Sequence, residues 1–268
     1  MLYKKIIKIT LSTLIVILSL ALVFLVNGYF EVIIVNNRID NFKDRGVYQY
    51  SDDNIKTSYY KVPMKYEYED VSRNIFNFDS RWIGSKTDII LTNRNPMREN
   101  PALAGIVGFL ATNFYVGHAT INSNESGSRM YEVVGNSTKL EDNVVRESFN
   151  SWLTVEEALK DKGDSPMIIG LRIKGTTEED RDKIIEYAEN QEGMPYNFSF
   201  LFNRHKSFYC TDLVSRSTRN AGINVNYDFL ATTGNDIIVS PNVYIIFIRE
   251  TIIEDGIKKF NIYFLDDK

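Results

Sequence analysis

The longest uninterrupted apolar run stands at the start of the chain. From Ile9 to Phe30, 22 residues pass without a charge, and Leu, Ile and Val dominate. A helix of that length crosses a hydrocarbon core of about 30 Å, so the pattern predicts a transmembrane signal anchor over residues 1–30. Lys4, Lys5 and Lys8 precede the run. Basic residues stay on the cytoplasmic side, which predicts a single-pass protein of the cell membrane, N-terminus cytoplasmic and the bulk of the chain extracellular. The rival is a cleaved signal peptide, with an apolar core of about 7–15 residues ending at a small-x-small site. Val26-Asn27-Gly28-Tyr29-Phe30 makes a poor one.

Residues 31–62 are polar and charged, and predict a juxtamembrane stalk, helical over Glu31–Phe42 and looped over Gly46–Thr57. Pro63 opens the main domain, 63–268. Lys65–Val71 alternates and fits either a strand or a helix entry. Trp82–Leu91 ends in a buried-strand pattern, Asn93–Asn100 is turn-rich, and Pro101–Leu110 suits a helix with its proline early. Phe114–Ile121 is β-branched and aromatic, hence a strand. Asn122–Ser128 is a turn and Arg129–Gly135 the returning strand, so His118 and Glu132 are candidates to face each other across a hairpin. Val144–Trp152 and Met167–Ile173 read as strands, Val155–Leu159 as a short helix. Thr176 and Glu179 form a capping box opening a helix with Ile184, Ile185, Tyr187 and Ala188, and Gly193 ends it. Leu213, Val214 and Ala221 give a further helix starting near Cys210, with Gly222 as its stop. Val243–Arg249 and Lys259–Leu265 are strands, and Glu254-Asp255-Gly256 signals the hairpin between them.

Composition narrows the function classes. The 268 residues are 44% hydrophobic, enough for one full core plus an appendage. A net charge of −4 offers no basic face for nucleic acid. Two histidines and one cysteine argue against a Cys/His zinc site, although carboxylates can also serve as ligands. No cofactor or metal is expected.

Cys210, the only cysteine, cannot form a disulfide within the chain. A thiol at a helix start meets unpaired N–H groups and the positive end of the helix dipole. With a histidine near, that setting makes a nucleophile. The bland alternative is a buried, inert cysteine. His118 has its own bland reading, a structural histidine donating to backbone, and Glu132 taken alone reads better as a solvated strand charge. His205, five residues before Cys210, is the rival base. Asp212, two residues beyond Cys210 on the helix, points away from the thiol and reads as surface or structural.

The order of these parts resembles the YiiX-like branch of the permuted NlpC-type, papain-like cysteine hydrolases, with lecithin retinol acyltransferase a more distant relative. The resemblance rests on Asp88-Ile89-Ile90, Gly117-His118-Ala119, the hairpin return with Glu132, Gly193-Met194-Pro195-Tyr196 and Tyr209-Cys210-Thr211-Asp212-Leu213-Val214. In the permuted branch histidine precedes cysteine, as it does here. Two positions depart from it: the usual Gly-Asp-Ile is Thr87-Asp88-Ile89, and the serine often found before the histidine is Gly117.

The resemblance implies an α+β, circularly permuted papain-like domain with an antiparallel sheet and a Cys-bearing helix, here preceded by one transmembrane helix. It implies Cys210 as nucleophile, His118 as general base and Glu132 as the group orienting the imidazole. The oxyanion hole would use the backbone N–H of Cys210 and a second donor the sequence does not identify. The expected function is a membrane-anchored, extracytoplasmic cysteine amidase or peptidase working through an acyl-enzyme. Its substrates would be peptides or acyl-amides, peptidoglycan among them, and its membrane partner would be reached through the N-terminal helix. The alternatives are a lipid-directed thioesterase or acyltransferase and a non-catalytic binding domain.

Overall fold

The computed structural model describes residues 2–95, 102, 104–115, 117–135, 139–150, 166–200, 206–226 and 231–267. Leu2–Lys43 is one helix, α1. Gly28, Glu31, Val35, Ile39 and Phe42 are its buried positions in the second half. They recur every three or four residues, the spacing of one helix face. A Cβ on Gly28 would come within 2.9 Å of the Phe114 ring. One turn before the end of α1, Arg38 donates to the carbonyls of Ile238 and Ser240 at 2.5 and 3.0 Å.

The transmembrane anchor, and with it the single-pass, extracellular placement, is corrected here. Among the described residues no helix is long and apolar enough to cross a membrane. The Ile9–Phe30 run is not a separate element. Its last turn docks through Gly28 and continues unbroken into the half of α1 packed on the domain.

Residues read as a looped stalk contribute two strands, β1 (Val47–Asp52) and β2 (Thr57–Pro63). They join β3 (Ile89–Thr92), β4 (His118–Asn122), β5 (Arg129–Val133), β6 (Val145–Phe149), β7 (Ile168–Ile173), β8 (Val243–Glu254) and β9 (Ile257–Asp266). These form one sheet in the order β1-β2-β9-β8-β7-β3-β4-β5-β6. The β2–β9 pair is parallel and the others antiparallel, so the sheet is mixed rather than antiparallel throughout. Asp255 and Gly256, both at positive φ (52° and 75°), make the two-residue turn between β8 and β9, as a primed turn requires.

β8 is buried at every position from Val243 to Ile248, the mark of a strand covered on both faces. α1 and α5 (Gly234–Val239) pack against it. Residues 64–88 bring aromatic cover, with the Phe76 ring 5.3 Å from that of Phe247. Lys65–Val71 is neither strand nor helix. It is a loop tied down by Glu69, which accepts from the N–H groups of Lys65 and Tyr66 at 2.5 and 3.1 Å and pairs with Arg45 at 2.8 Å.

Among the described residues the other α-helices are α2 (Ala104–Phe114), α3 (Glu178–Glu189) and α4 (Cys210–Asn220). The cap of α3 lies one residue beyond the expected Thr176. Thr177 accepts from Asp180 N–H at 3.2 Å, and the Asp180 carboxylate returns to Thr177 N–H at 3.0 Å. Two threonines in a row, each with an acid three residues on, made both registers plausible. The helix expected over Val155–Leu159 lies outside the described residues.

Candidate active site

Three adjacent strands and one helix build the site. Gly117 brings the chain in beside the end of β3. A Cβ there would lie 2.5 Å from the carbonyl oxygens of Thr92 and Arg94, so only glycine fits. His118, first residue of β4, is thereby paired with Thr92. β4 and β5 pair Ile121 with Tyr131. Continuing that register sets Thr120 opposite Glu132, and His118 one diagonal step along the same face, within reach of a long side chain. His118 Nε2 and Glu132 Oε2 are 2.9 Å apart.

The next strand holds Glu132 from the other side. Glu132 pairs with Arg146 on β6. Arg146 donates to Oε1 through Nε (3.1 Å) and Nη2 (3.0 Å), and the Ser148 hydroxyl donates to the same oxygen at 2.7 Å. Glu132 is 4% exposed, so this pattern is what keeps a buried carboxylate tolerable.

Cys210 is the first residue of α4, and the N-cap residue, Tyr209, makes no side-chain cap bond. The helix packs on β4 and β5. Its first turn is clamped by residue 232: Thr211 Oγ1 donates to the Thr232 carbonyl at 2.5 Å, and Thr232 N–H donates to the Tyr209 hydroxyl at 2.7 Å. Asp212 is fully buried rather than on the surface. Arg216 reaches its carboxylate at 3.3 Å while stacking 3.8 Å over the Phe208 ring, which braces the segment leading into Cys210.

These elements bring His118, Glu132 and Cys210 together. The Glu132 carboxylate hydrogen-bonds the His118 ring, and the Cys210 side chain lies near enough to that ring to raise its pKa. With Nε2 on Glu132, Nδ1 is left for the thiol. Burial pulls the imidazole pKa down, but the hydrogen bonds and charges of Cys210 and Glu132 outweigh it and raise the value to about 9. Burial likewise pushes Glu132 up, and His118, Ser148 and Arg146 overcome it to hold the carboxyl at about 2. The rival base, His205, lies outside the described residues. Among the described residues no group of three or more His, Cys, Asp or Glu side chains could hold a metal ion.

Sequence reasoning assigned no role to three neighbours. Arg146 and Ser148 would have emerged from extending the hairpin to its third strand. Tyr196 lay in the Met194-Pro195-Tyr196 motif. Its ring packs where a Cβ on Gly135 would be, 2.8 Å away, and 4.8 Å from the Phe198 ring. Its backbone bridges to Phe208, two residues before Cys210, and burial and the nearby charges of Cys210 and Tyr209 raise its phenol pKa.

A family model described as "Permuted papain-like amidase enzyme, YaeF/YiiX, C92 family" matches residues 104–250, a stretch holding all three of these side chains. Among curated proteins there is no match. A crystal structure of the metalloprotein yiiX from Escherichia coli O157:H7 is similar over 62% of this chain and 97% of its own, at 16% identity and a TM-score of 0.44.

Proposed function

Because this chain belongs to the permuted papain-like amidase family, YaeF/YiiX, C92, we propose that it hydrolyses amide bonds with Cys210 as nucleophile, His118 as general base and acid, and Glu132 as the group that orients the imidazole. One observation carries the reading: a thiol at the first residue of a helix lies beside an imidazole whose Nε2 meets a buried carboxylate at 2.9 Å. This is the arrangement a thiol–imidazole mechanism needs. With the proton of the thiol–imidazole pair held on Nδ1, Sγ attacks the amide carbonyl carbon. The C–N bond breaks, and the imidazolium returns that proton to the departing amine. Water then attacks the thioester, giving its proton to His118, and the C–S bond breaks to release the acid and restore the thiol. Backbone N–H groups at the start of α4 are candidates for the oxyanion, and Tyr196 is a candidate for the second donor.

The substrate we favour is an amide within a peptide, with wall peptide as the first to try. Purified wall fragments are incubated with the wild type, Cys210→Ala and His118→Ala, and released amine is measured. Loss of release of at least about a hundredfold in both variants is expected, general-base action being worth about 10²–10⁴. Undiminished release in either variant defeats the assignment. A second reading, an acyl-chain substrate, draws support from α2, where Ile106, Phe109 and Leu110 are exposed just before His118. Both readings pass through an acylated Cys210, so turnover of a long-chain N-acyl amide against a peptide amide separates the two, since only the second reading expects the acyl chain to be preferred.

A further inference from the structure

The carboxylate of Glu132 is divided between two tasks. Oε2 meets His118, and Oε1 takes three donors from β6, namely Arg146 Nε, Arg146 Nη2 and Ser148 Oγ. A carboxylate with both oxygens free rotates about its terminal torsion, which has broad, weakly defined minima. Three donors on one oxygen fix that torsion and aim the other at the imidazole. The geometry also follows from strand register, since Glu132 pairs with Arg146 and Met130 with Ser148, which sets both donors on one side of β6. A solvent-facing arginine in a surface ion pair would contribute little. Here the partner is buried and hydrogen-bonded to a ring nitrogen of the reacting pair.

Resting on the proposed roles of Cys210, His118 and Glu132, we infer that Arg146 and Ser148 are positioning residues: they lock Glu132 so that it orients His118, and their effect on Cys210 passes through Glu132 alone. Both residues bond the Glu132 carboxylate and not the thiol, so a role through Glu132 makes a specific statement about additivity. Residues acting along one chain of contacts couple, whereas independent ones add.

The test needs no substrate, because Cys210 is the only thiol in the chain. The rate of alkylation by iodoacetamide at pH 6 is measured for the full chain, for Arg146→Gln, Ser148→Ala, Glu132→Gln and the double variants, with a melting curve for each. Arg146→Gln should slow labelling about tenfold, the usual scale for removing a residue that orients a reactive group from behind. Ser148→Ala should slow it less, and Arg146→Lys should restore part of the loss. In the Glu132→Gln background, neither further substitution should change the rate. An equal slowing with and without the Glu132 carboxylate, or no slowing at all, overturns the inference. If Arg146→Gln melts early, the Ser148→Ala cycle decides in its place. His118→Ala supplies the control. Labelling as fast as wild type there defeats the catalytic reading itself, whereas slow labelling in His118→Ala with fast labelling in Arg146→Gln defeats only the role of β6.

Discussion

His118 concentrates the electrostatics of the site. Its imidazole is raised from 6.5 to about 9, first by Cys210 and then by Glu132, and Glu132 is lowered from 4.5 to about 2, first by His118. The signs give two windows. His118 binds its proton more tightly in the folded chain, so its contribution to stability is complete below about pH 6.5 and drains away as pH rises through 9. Glu132 contributes above about pH 4.5, and that contribution is lost as pH falls towards 2. With only two histidines in the chain, NMR titration of the rings can be assigned by His118→Ala. The His118 resonance should titrate near pH 9 in the wild type and move down by at least a unit in Glu132→Gln. A resonance that stays put would show that the carboxylate does not set the imidazole. Two other residues explain departures from the family pattern. Thr87 takes a φ of 68°, the left-handed region where glycine is at home and a β-branched residue costs about 1–2 kcal/mol. Gly117 fills the place where a serine is often found, and the carbonyls 2.5 Å from its missing Cβ show why no side chain fits this backbone.

Among the elements, those with a strong local signal were legible in the sequence. The β4–β5 hairpin, the helix beginning at Cys210 and the β8–β9 turn each carry their own alternation, spacing or turn residues. β1 was missed because its Val47–Ser51 positions are exposed, so no buried alternation marks it. The parallel partnership of β2 and β9 joins residues about two hundred positions apart, which no local pattern encodes. Of the site, the histidine, glutamate and cysteine were legible as residue types in order. The donors behind Glu132 were not, since Arg146 and Ser148 matter only once β6 is in register. The α3 cap shows how narrowly a local signal can miss. The observed box predicts that Thr177→Ala costs about 1 kcal/mol of stability, whereas Thr176→Ala stays within about 0.5 kcal/mol. Chemical denaturation of the two variants decides the register, and equal losses would contradict the assigned cap.

At the scale of the molecule, the sheet separates the group that anchors the fold from the groups proposed for chemistry. β3 is central to both. Its Thr92 end pairs with His118 on one side and Ile168 on the other, while its Ile89 end pairs with Ile121 and Leu171. Next to that second end, fully buried Arg172 holds the Asp88 carboxylate at 2.9 and 2.6 Å and the carbonyls of Asp70 and Asn74 at 2.6 and 2.7 Å. This one guanidinium fastens the 64–88 loop, with its Phe76 and Phe78 cover, to the middle of the sheet. Breaking a buried pair leaves an uncompensated charge and costs about 3–5 kcal/mol. Arg73, 3.6 Å from the same carboxylate, offsets part of this, so Arg172→Met should lose about 3 kcal/mol. The urea midpoint should fall with its slope unchanged. The chemistry should behave differently, because the Thr92–His118 end of the strands does not depend on that guanidinium. In buffer, where Arg172→Met remains folded, Cys210 should be alkylated at the wild-type rate. A variant that loses thiol reactivity in step with stability would mean that the loop anchor and the thiol–imidazole pair form one cooperative unit rather than opposite ends of a rigid sheet.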